Sequence, residues 1–325
     1  MIEAGMNGFG RFGLHLLKYW LARNSESNFS IKYINDDFLD INQAYDIITS
    51  DEYVKFNKYK IQIVDSNLSI LEPNGRKHEI YYTNNKQNEI SWLGKPKIFF
   101  ECTGKYTISD KCDIYLKDQT ETVLISATSW DVDKTLVYGY NHREYDSSLK
   151  KISYGSCTVN AFVPFASWID NNFRLSNSDV NVIHNIQEYR VKDNYTLLRK
   201  FCTLEKSAKH LMKSINDDNF IVNYTVIPYT GVSMIDFRFE VKEEVTLEKF
   251  ISKLDNSIKN GRLKGLYGID ESDIGPEVYN CTTFSSVFIK EGIKKLGNSI
   301  YLQAYFDNEN SVNRYFDLAN YILSN

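Results

Sequence analysis

The chain reads as an α/β protein in two parts: a doubly wound parallel sheet, then an α+β domain with a mostly antiparallel sheet. Three observations predict this. Short apolar strands alternate with helical segments through the first half, as parallel strands joined by crossover helices do. After residue 157 the rhythm changes to longer extended apolar segments with helices between them. A glycine-rich turn, Gly8 to Gly13, separates the first strand from the first helix.

In order, strands are expected at Ile2–Met6, Ser30–Ile34, Ile98–Cys102, Glu121–Ser126 and Leu136–Tyr138. Helices are expected at Arg11–Ala22, Ile41–Thr49 and Cys112–Lys117. The second part opens with an amphipathic helix over 157–171. Extended segments follow at Val180–Ile186, Val222–Pro228, Val232–Val241 and Phe284–Phe288, with helices at Cys202–Ile215, Leu247–Asn260 and Val312–Ser324. Val232–Val241 alternates apolar and polar side chains, the period of a half-exposed strand.

The 325 residues are enough for two domains of ordinary size. A formal net charge of −4 and dispersed Lys and Arg give no basic face, so no nucleic-acid partner is expected. No apolar run is long enough to span a bilayer, and Met1 leads straight into a strand-like start without a leader pattern. No membrane partner is expected. The five cysteines show neither paired spacing nor a C-x-x-C, and the five histidines are scattered. That predicts no metal site, no disulfide framework and a cytoplasmic location.

Asn7-Gly8-Phe9-Gly10-Arg11-Phe12-Gly13 is a G-x-G-x-x-G pattern after a strand and before a helix. Gly8 permits the tight turn, Gly10 admits a pyrophosphate to the backbone, and Gly13 allows close helix packing. Phosphate would sit on the helix N-terminus, among Gly8, Phe9, Gly10, Arg11 and Phe12. The second strand ends in Asp36, placed to accept hydrogen bonds from ribose hydroxyls, and Asp37 follows it. Two carboxylates would repel a 2′-phosphate. A Rossmann-type first domain using NAD rather than NADP is expected.

Ser153-Tyr-Gly-Ser-Cys157-Thr-Val-Asn160 puts a cysteine at the start of a helix. Unpaired N–H groups and the helix dipole favour a thiolate there, so Cys157 is the candidate nucleophile, expected to ionise more easily than a free thiol. One helix and one strand later, Val182-Ile183-His184-Asn185-Ile186 carries the candidate base, His184.

These motifs, taken together, resemble the glyceraldehyde-3-phosphate dehydrogenase family over nearly the whole chain. Asn7–Gly13 is similar to its opening NGFGRxG. Glu101-Cys-Thr-Gly104 with Tyr106-Thr107 is similar to EST-G-x-F/Y-T, and Ile125-Ser-Ala127 and Gly139-Tyr-Asn-His142 to ISAP and GVNH. Ser156-Cys-Thr158 with Asn160 is similar to SCTTN, and Phe306-Asp-Asn-Glu309 with Asn313-Arg314 to YDNE…R. The resemblance implies an NAD-binding domain at 1–156 and 308–325, a catalytic domain at 157–307, and a homo-oligomer, tetramer or dimer. It implies NAD-dependent oxidation of an aldehyde: Cys157 forms a thiohemiacetal, His184 takes its proton as hydride leaves, and phosphate or water opens the resulting thioester. Thr103, Gly104 and Ser126 would lie along the cofactor, Asn308 would hold its carboxamide, and Ser156, Thr158 and Lys206 would face phosphate.

The departures fall where phosphate should bind. The segment after His184 reads Asn185-Ile-Gln-Glu-Tyr189, without the family's threonines, and its T-G reads Glu205-Lys206. No arginine stands near Val226, where the family has one, and the loop from His184 to Lys209 is short. Arg190, Lys192, Arg199 and Lys200 are replacement cations or a solvated basic stretch. Two functions compete: a dehydrogenase on the usual or an altered aldehyde, and a non-catalytic NAD-binding regulatory paralogue.

Overall fold

The computed structural model describes residues 1–186, 198–228, 231–272 and 274–325. The expectations for 187–189, and for Arg190 and Lys192 as replacement cations, lie outside the described residues. The chain divides into two compact units. The first comprises Met1–Leu136, His142–Gly155 and Tyr315–Asn325, the second Val137–Asn141 and Ser156–Arg314.

The first unit holds β1 (Ile2–Asn7), α1 (Arg11–Ala22), β2 (Phe29–Asn35), α2 (Ile41–Ser50), β3 (Lys60–Val64), β4 (Asn67–Leu71), β5 (Lys77–Thr83), β6 (Ile98–Glu101), α3 (Ser109–Cys112), β7 (Thr122–Ile125), β8 (Lys134–Thr135) and β9 (Lys151–Ser153). Their sheet runs β3-β4-β5-β2-β1-β6-β7-β9-β8. All pairs are parallel except the β3–β4–β5 meander. Successive connections turn one way from β1 to β2 and the other way to β6, so β1 marks the switch point where such sheets bind ligands. Burial on both faces explains the near-continuous apolar strands; all four residues of β6 and of β7 are buried.

In the second unit, α4 (Cys157–Phe173) is followed by β10 (Leu175–Ile186), β11 (Leu198–Arg199), α5 (Thr203–Leu211), β12 (Phe220–Pro228), β13 (Ser233–Val241), α6 (Leu247–Asn260), β14 (Tyr267–Asp270), β15 (Ser286–Ile289), β16 (Lys294–Leu296), β17 (Ser299–Phe306) and the start of α7 (Asn308–Ile322). The sheet order is β11-β12-β10-β13-β17-β15-β14, with β16 against β17. Only β10–β12 and β14–β15 pair in parallel. Helix α4 lies in its core: Phe162 and Phe165 are fully buried against Phe237 and Phe239. Each such ring contributes about 1.5–3 kcal/mol by burial. Pro164 inside α4 cannot donate to the Asn160 carbonyl. The Tyr267 hydroxyl donates to Asn160 and Ala161 carbonyls instead, at 3.3 and 3.0 Å, which keeps the helix intact behind its reactive end.

Several expected elements are corrected. Leu136–Tyr138 is not a strand: the Val137 N–H donates to Asn141 Oδ1 at 2.7 Å and its carbonyl accepts from Tyr140, closing a turn. Cys112–Lys117 is not a helix; one turn at Ser109–Cys112 passes into a 3-10 turn at Asp113–Tyr115. The β3–β4–β5 meander is not among the expected strands. Helix α5 stops at Leu211, and α7 starts earlier than expected, at Asn308.

Candidate active site

The glycine turn comes first in the chain. Gly8 has φ +97°, and a Cβ there would stand 2.6 Å from the Thr103 nitrogen. A Cβ on Gly13 would stand 2.1 Å from the Gly8 carbonyl oxygen. Gly10 is different: it is the N-cap of α1, no side chain caps the helix, and nothing lies within 4 Å of where its Cβ would be. The helix end is thus left open on the side where a pyrophosphate would lie. Asp36, buried at the end of β2, accepts from the Phe9 N–H at 2.7 Å and from Phe38 and Leu39 N–H at 2.8 and 2.9 Å. A carboxylate has about four acceptor positions, so one is left for a ribose hydroxyl. The residues present fit a dinucleotide.

The other expected cofactor residues have these surroundings. The Arg11 guanidinium is ion-paired to Asp51 at 2.6 Å and lies over the Tyr53 ring. The Phe12 ring packs edge-on to Tyr154 and Tyr315, and Phe9 is wholly buried. Thr103 bonds back to Glu101 through both its N–H, at 2.8 Å, and its hydroxyl. Gly104 has φ +68° with open space at its Cβ, and the Ser126 N–H donates to the Glu101 carbonyl at 2.9 Å. Asp37 is held by Lys105 at 3.0 Å, and the same ammonium lies 3.9 Å over the Phe38 ring. The expected repulsion of a 2′-phosphate therefore rests on Asp36 more than on Asp37.

Glu101 was not anticipated. It is fully buried, accepts from Tyr115 Oη at 2.7 Å and Asn7 Nδ2 at 3.3 Å, and lies under the turn through Thr103. Burial pushes its carboxyl up to about 7 despite these donors.

In the second unit, Ser156 caps α4 by accepting from the Val159 N–H at 3.3 Å, and Cys157 is the first helical residue. The Cys157 Sγ lies 3.4 Å from His184 Nε2. His184 Nδ1 is 2.6 Å from the Asn185 carbonyl oxygen. A carbonyl only accepts, so Nδ1 carries the proton and Nε2 presents its lone pair to the thiol. Tyr224 and Phe306 flank the imidazole, at 5.7 and 5.6 Å between ring centres. Both reacting groups are buried.

Burial decides their charge. It raises the Cys157 thiol, helped by the neighbouring Cys202, and outweighs the lowering by the Thr158 N–H. It also lowers His184, against the raising effect of the Asn185 carbonyl. The resting pair is a neutral thiol and a neutral imidazole. Burial thus works against the easy ionisation expected of Cys157 at a helix N-terminus.

Around the α4 start lies a cluster of hydroxyls. Ser156 Oγ and Thr158 Oγ1 are 3.2 Å apart, the Thr203 hydroxyl donates to Ser156 Oγ at 3.4 Å, and Thr158 Oγ1 is 3.7 Å from Cys202 Sγ. Thr203 and Cys202 were missed. Their signal was available, since Thr203 opens α5 with Cys202 as its N-cap. Lys206 is exposed on α5, and Glu205 is engaged by Lys209 at 3.4 Å. Opposite His184 in the β10–β12 register stands buried Val226, and Arg199 pairs with Thr225. Asn308 begins α7; its side chain lies outside the described atoms.

The remaining histidines serve elsewhere. His78 is buried against Glu72, His15 is buried in α1, His142 contacts Tyr321, and His210 is exposed. Among the described residues no group of three or more His, Cys, Asp or Glu could hold a metal, and no helix is long and apolar enough to cross a membrane.

A glycine turn at the switch point of a parallel sheet, and a cysteine–histidine pair on an α+β unit, define the class: an α/β protein with a candidate dinucleotide turn and a candidate thiol nucleophile. No family model matches the chain. It is 26% identical over 326 residues to the cytosolic glyceraldehyde-3-phosphate dehydrogenase of Dianthus caryophyllus, covering 95% of this chain and 94% of that one. It is also 26% identical to glyceraldehyde-3-phosphate dehydrogenase 1 of Bacillus cereus, over 343 residues, and of Drosophila melanogaster, over 341, covering 100% of this chain and 99% of each relative. The chain is thus similar to glyceraldehyde-3-phosphate dehydrogenases over nearly its whole length, at about a quarter of positions identical.

Proposed function

We propose that the protein is an NAD-dependent dehydrogenase that oxidises an aldehyde through a covalent thioester on Cys157, acting on glyceraldehyde 3-phosphate or a related aldehyde. The observation that carries this is the 3.4 Å contact from Cys157 Sγ to His184 Nε2, with Nδ1 tied to a carbonyl. Because the resting pair is neutral, the thiol proton moves to Nε2 as sulfur attacks the carbonyl carbon, and burial keeps the charge-separated state short-lived. The imidazolium returns that proton to the new alkoxide, giving a neutral thiohemiacetal. His184, again neutral, then removes the hydroxyl proton as the carbon loses hydride and becomes a thioester. NAD, when bound, would supply the hydride acceptor. The first-unit residues that would hold it are Gly8 to Phe12 through their backbone, Asp36 through its free acceptor position, and Thr103, Gly104 and Ser126 at neighbouring strand ends.

Ser156, Thr158 and Thr203 present hydroxyls at the N-termini of α4 and α5, a fitting place for inorganic phosphate as acyl acceptor. Apolar Val226 beside His184 offers no cation for a phosphate on the substrate, which favours an altered aldehyde. We further propose a homo-oligomer, dimer or tetramer, to be read by sedimentation, and a cytoplasmic enzyme.

The test is NADH formation over a panel of phosphorylated and plain aldehydes, with and without phosphate. Turnover is expected on at least one. Cys157→Ser should lower its rate by at least about 10³-fold, since a nucleophile and its base act as a unit. No turnover on any aldehyde would overturn the proposal. Retained NAD binding in that event would support the non-catalytic paralogue.

A further inference from the structure

We propose that Asn185 and Ser233 form a clasp whose task is to hold His184 in the Nδ1-protonated tautomer, making both positioning residues for the base. The inference rests on the reading of His184 as the base of Cys157.

The clasp sits where a ladder stops. Strand β10 pairs with β13 as far as Ile183↔Met234, one residue short of His184. Beyond that point, side chains rather than the β13 main chain satisfy Asn185. Its N–H donates to Ser233 Oγ at 3.0 Å, and its carbonyl accepts from His184 Nδ1 at 2.6 Å. In a strand the N–H and C=O of one residue point to the same side. Had the ladder continued, the carbonyl that fixes the imidazole would be facing the β13 main chain. The interruption leaves it for the ring.

The Asn185 side chain then locks this arrangement. Its Oδ1 accepts from the Ser233 hydroxyl at 2.7 Å, and its Nδ2 donates to the Gly231 carbonyl. Ser233 is 2% exposed, and its single hydroxyl both accepts from the Asn185 N–H and donates to Oδ1. Closing the ring takes a side chain at 185 with one acceptor and one donor, and a hydroxyl at 233. Aspartate would lack the donor to Gly231, and alanine at 233 would strand the buried Asn185 N–H. With Asn185 pinned at three points, its N–H, Oδ1 and Nδ2, the Asn185 carbonyl is held toward His184 Nδ1, and Nε2 stays bare toward Cys157 Sγ.

Tautomer and reactivity are read separately. In uniformly ¹⁵N-labelled protein, long-range ¹H–¹⁵N spectra report the protonated ring nitrogen, with the His184 signals assigned by their loss in His184→Gln. The wild type should show Nδ1–H only. Ser233→Ala and Asn185→Ala should each show a mixture with Nε2–H, and alkylation of Cys157 by iodoacetamide at pH 8, followed by peptide mass spectrometry, should slow by on the order of 10-fold, as when a supporting shell around a reactive histidine is disturbed. Ser233→Thr, which keeps the hydroxyl, should restore both readouts and separates the clasp from a merely structural role. Should Ser233→Ala and Asn185→Ala stay folded with pure Nδ1–H and wild-type alkylation, the inference is overturned. Neither readout needs turnover, so lack of dehydrogenase activity in the wild type would count against the catalytic reading alone.

Discussion

Two helix starts in this molecule solve the same electrostatic problem in opposite ways. Helix α1 opens on Gly10 with no side-chain cap and empty space beside it. Helix α4 opens on Ser156, whose hydroxyl accepts from Val159 and whose carbonyl accepts from Asn160 Nδ2 at 3.0 Å. The first leaves its orphan N–H groups for a ligand from outside. The second caps one of them, the Val159 N–H, with its own Ser156 side chain, and there burial raises the thiol on which the helix opens. A helix N-terminus thus says where negative charge is welcome; packing says whether it is present at rest.

The sharpest break in this comparison is within the glycine turn. Gly13→Ala forces a methyl to 2.1 Å from a backbone oxygen, so the β1–α1 turn must shift. Overpacking of this kind costs about 1–3 kcal/mol, and backbone as the obstacle places it at the upper end. A drop in thermal midpoint together with loss of NAD binding by calorimetry is expected. Gly10→Ser meets nothing within 4 Å, and the φ of −73° at Gly10 suits any residue. It should leave stability unchanged or slightly raised while weakening NAD, because the new side chain occupies the open helix end. Equal effects from the two substitutions would show that the open side is not reserved for a ligand.

Gly8 and Gly13 were readable in advance because backbone atoms stand where their Cβ would be. Cys157 and His184 stand on the elements expected for them, a helix start and a strand, with their side chains 3.4 Å apart. Other features depend on distant partners and leave no mark in their own neighbourhood. Thr203 meets Ser156 only because α5 folds back on α4. Glu101 reads as an ordinary strand-end acid, yet Asn7 and Tyr115 from two other elements enclose it. The meander at β3–β5 was hidden because its strands are short, with polar residues on the exposed face. The ion pair of Arg11 was equally hidden, because its partner, Asp51, lies beyond α2.

Glu101 gives the next effect, and it parallels Cys157, since burial raises both. A folded value of about 7 against 4.5 means the folded state binds more protons between those limits. Stability from this group is complete below 4.5 and is lost as pH rises toward 7, at up to about 1.4 kcal/mol per pH unit. His184, lowered by burial, acts in the opposite sense: its contribution is present above 6.5 and is lost as pH falls through that value toward the folded one. Denaturant midpoints measured from pH 4 to 8 should show Glu101→Gln flattening the decline on the alkaline side. An unchanged slope would mean that the carboxylate stays ionised where it is buried.

The smallest effect separates capping from chemistry at α4. Ser156→Ala removes the acceptor for the Val159 N–H, a loss of about 1 kcal/mol at a helix N-cap. It also removes the hydroxyl that accepts from Thr203. The pH dependence of Cys157 alkylation should stay put, because burial and Cys202, not the Ser156 hydroxyl, raise that thiol. If phosphate is the acyl acceptor, the same variant should raise the KM for phosphate with little change in the burst of NADH that precedes thioester opening. A shift of the alkylation profile toward acid or alkali would instead mean that the cap tunes the sulfur directly, and the two helix starts would then differ in degree rather than in kind.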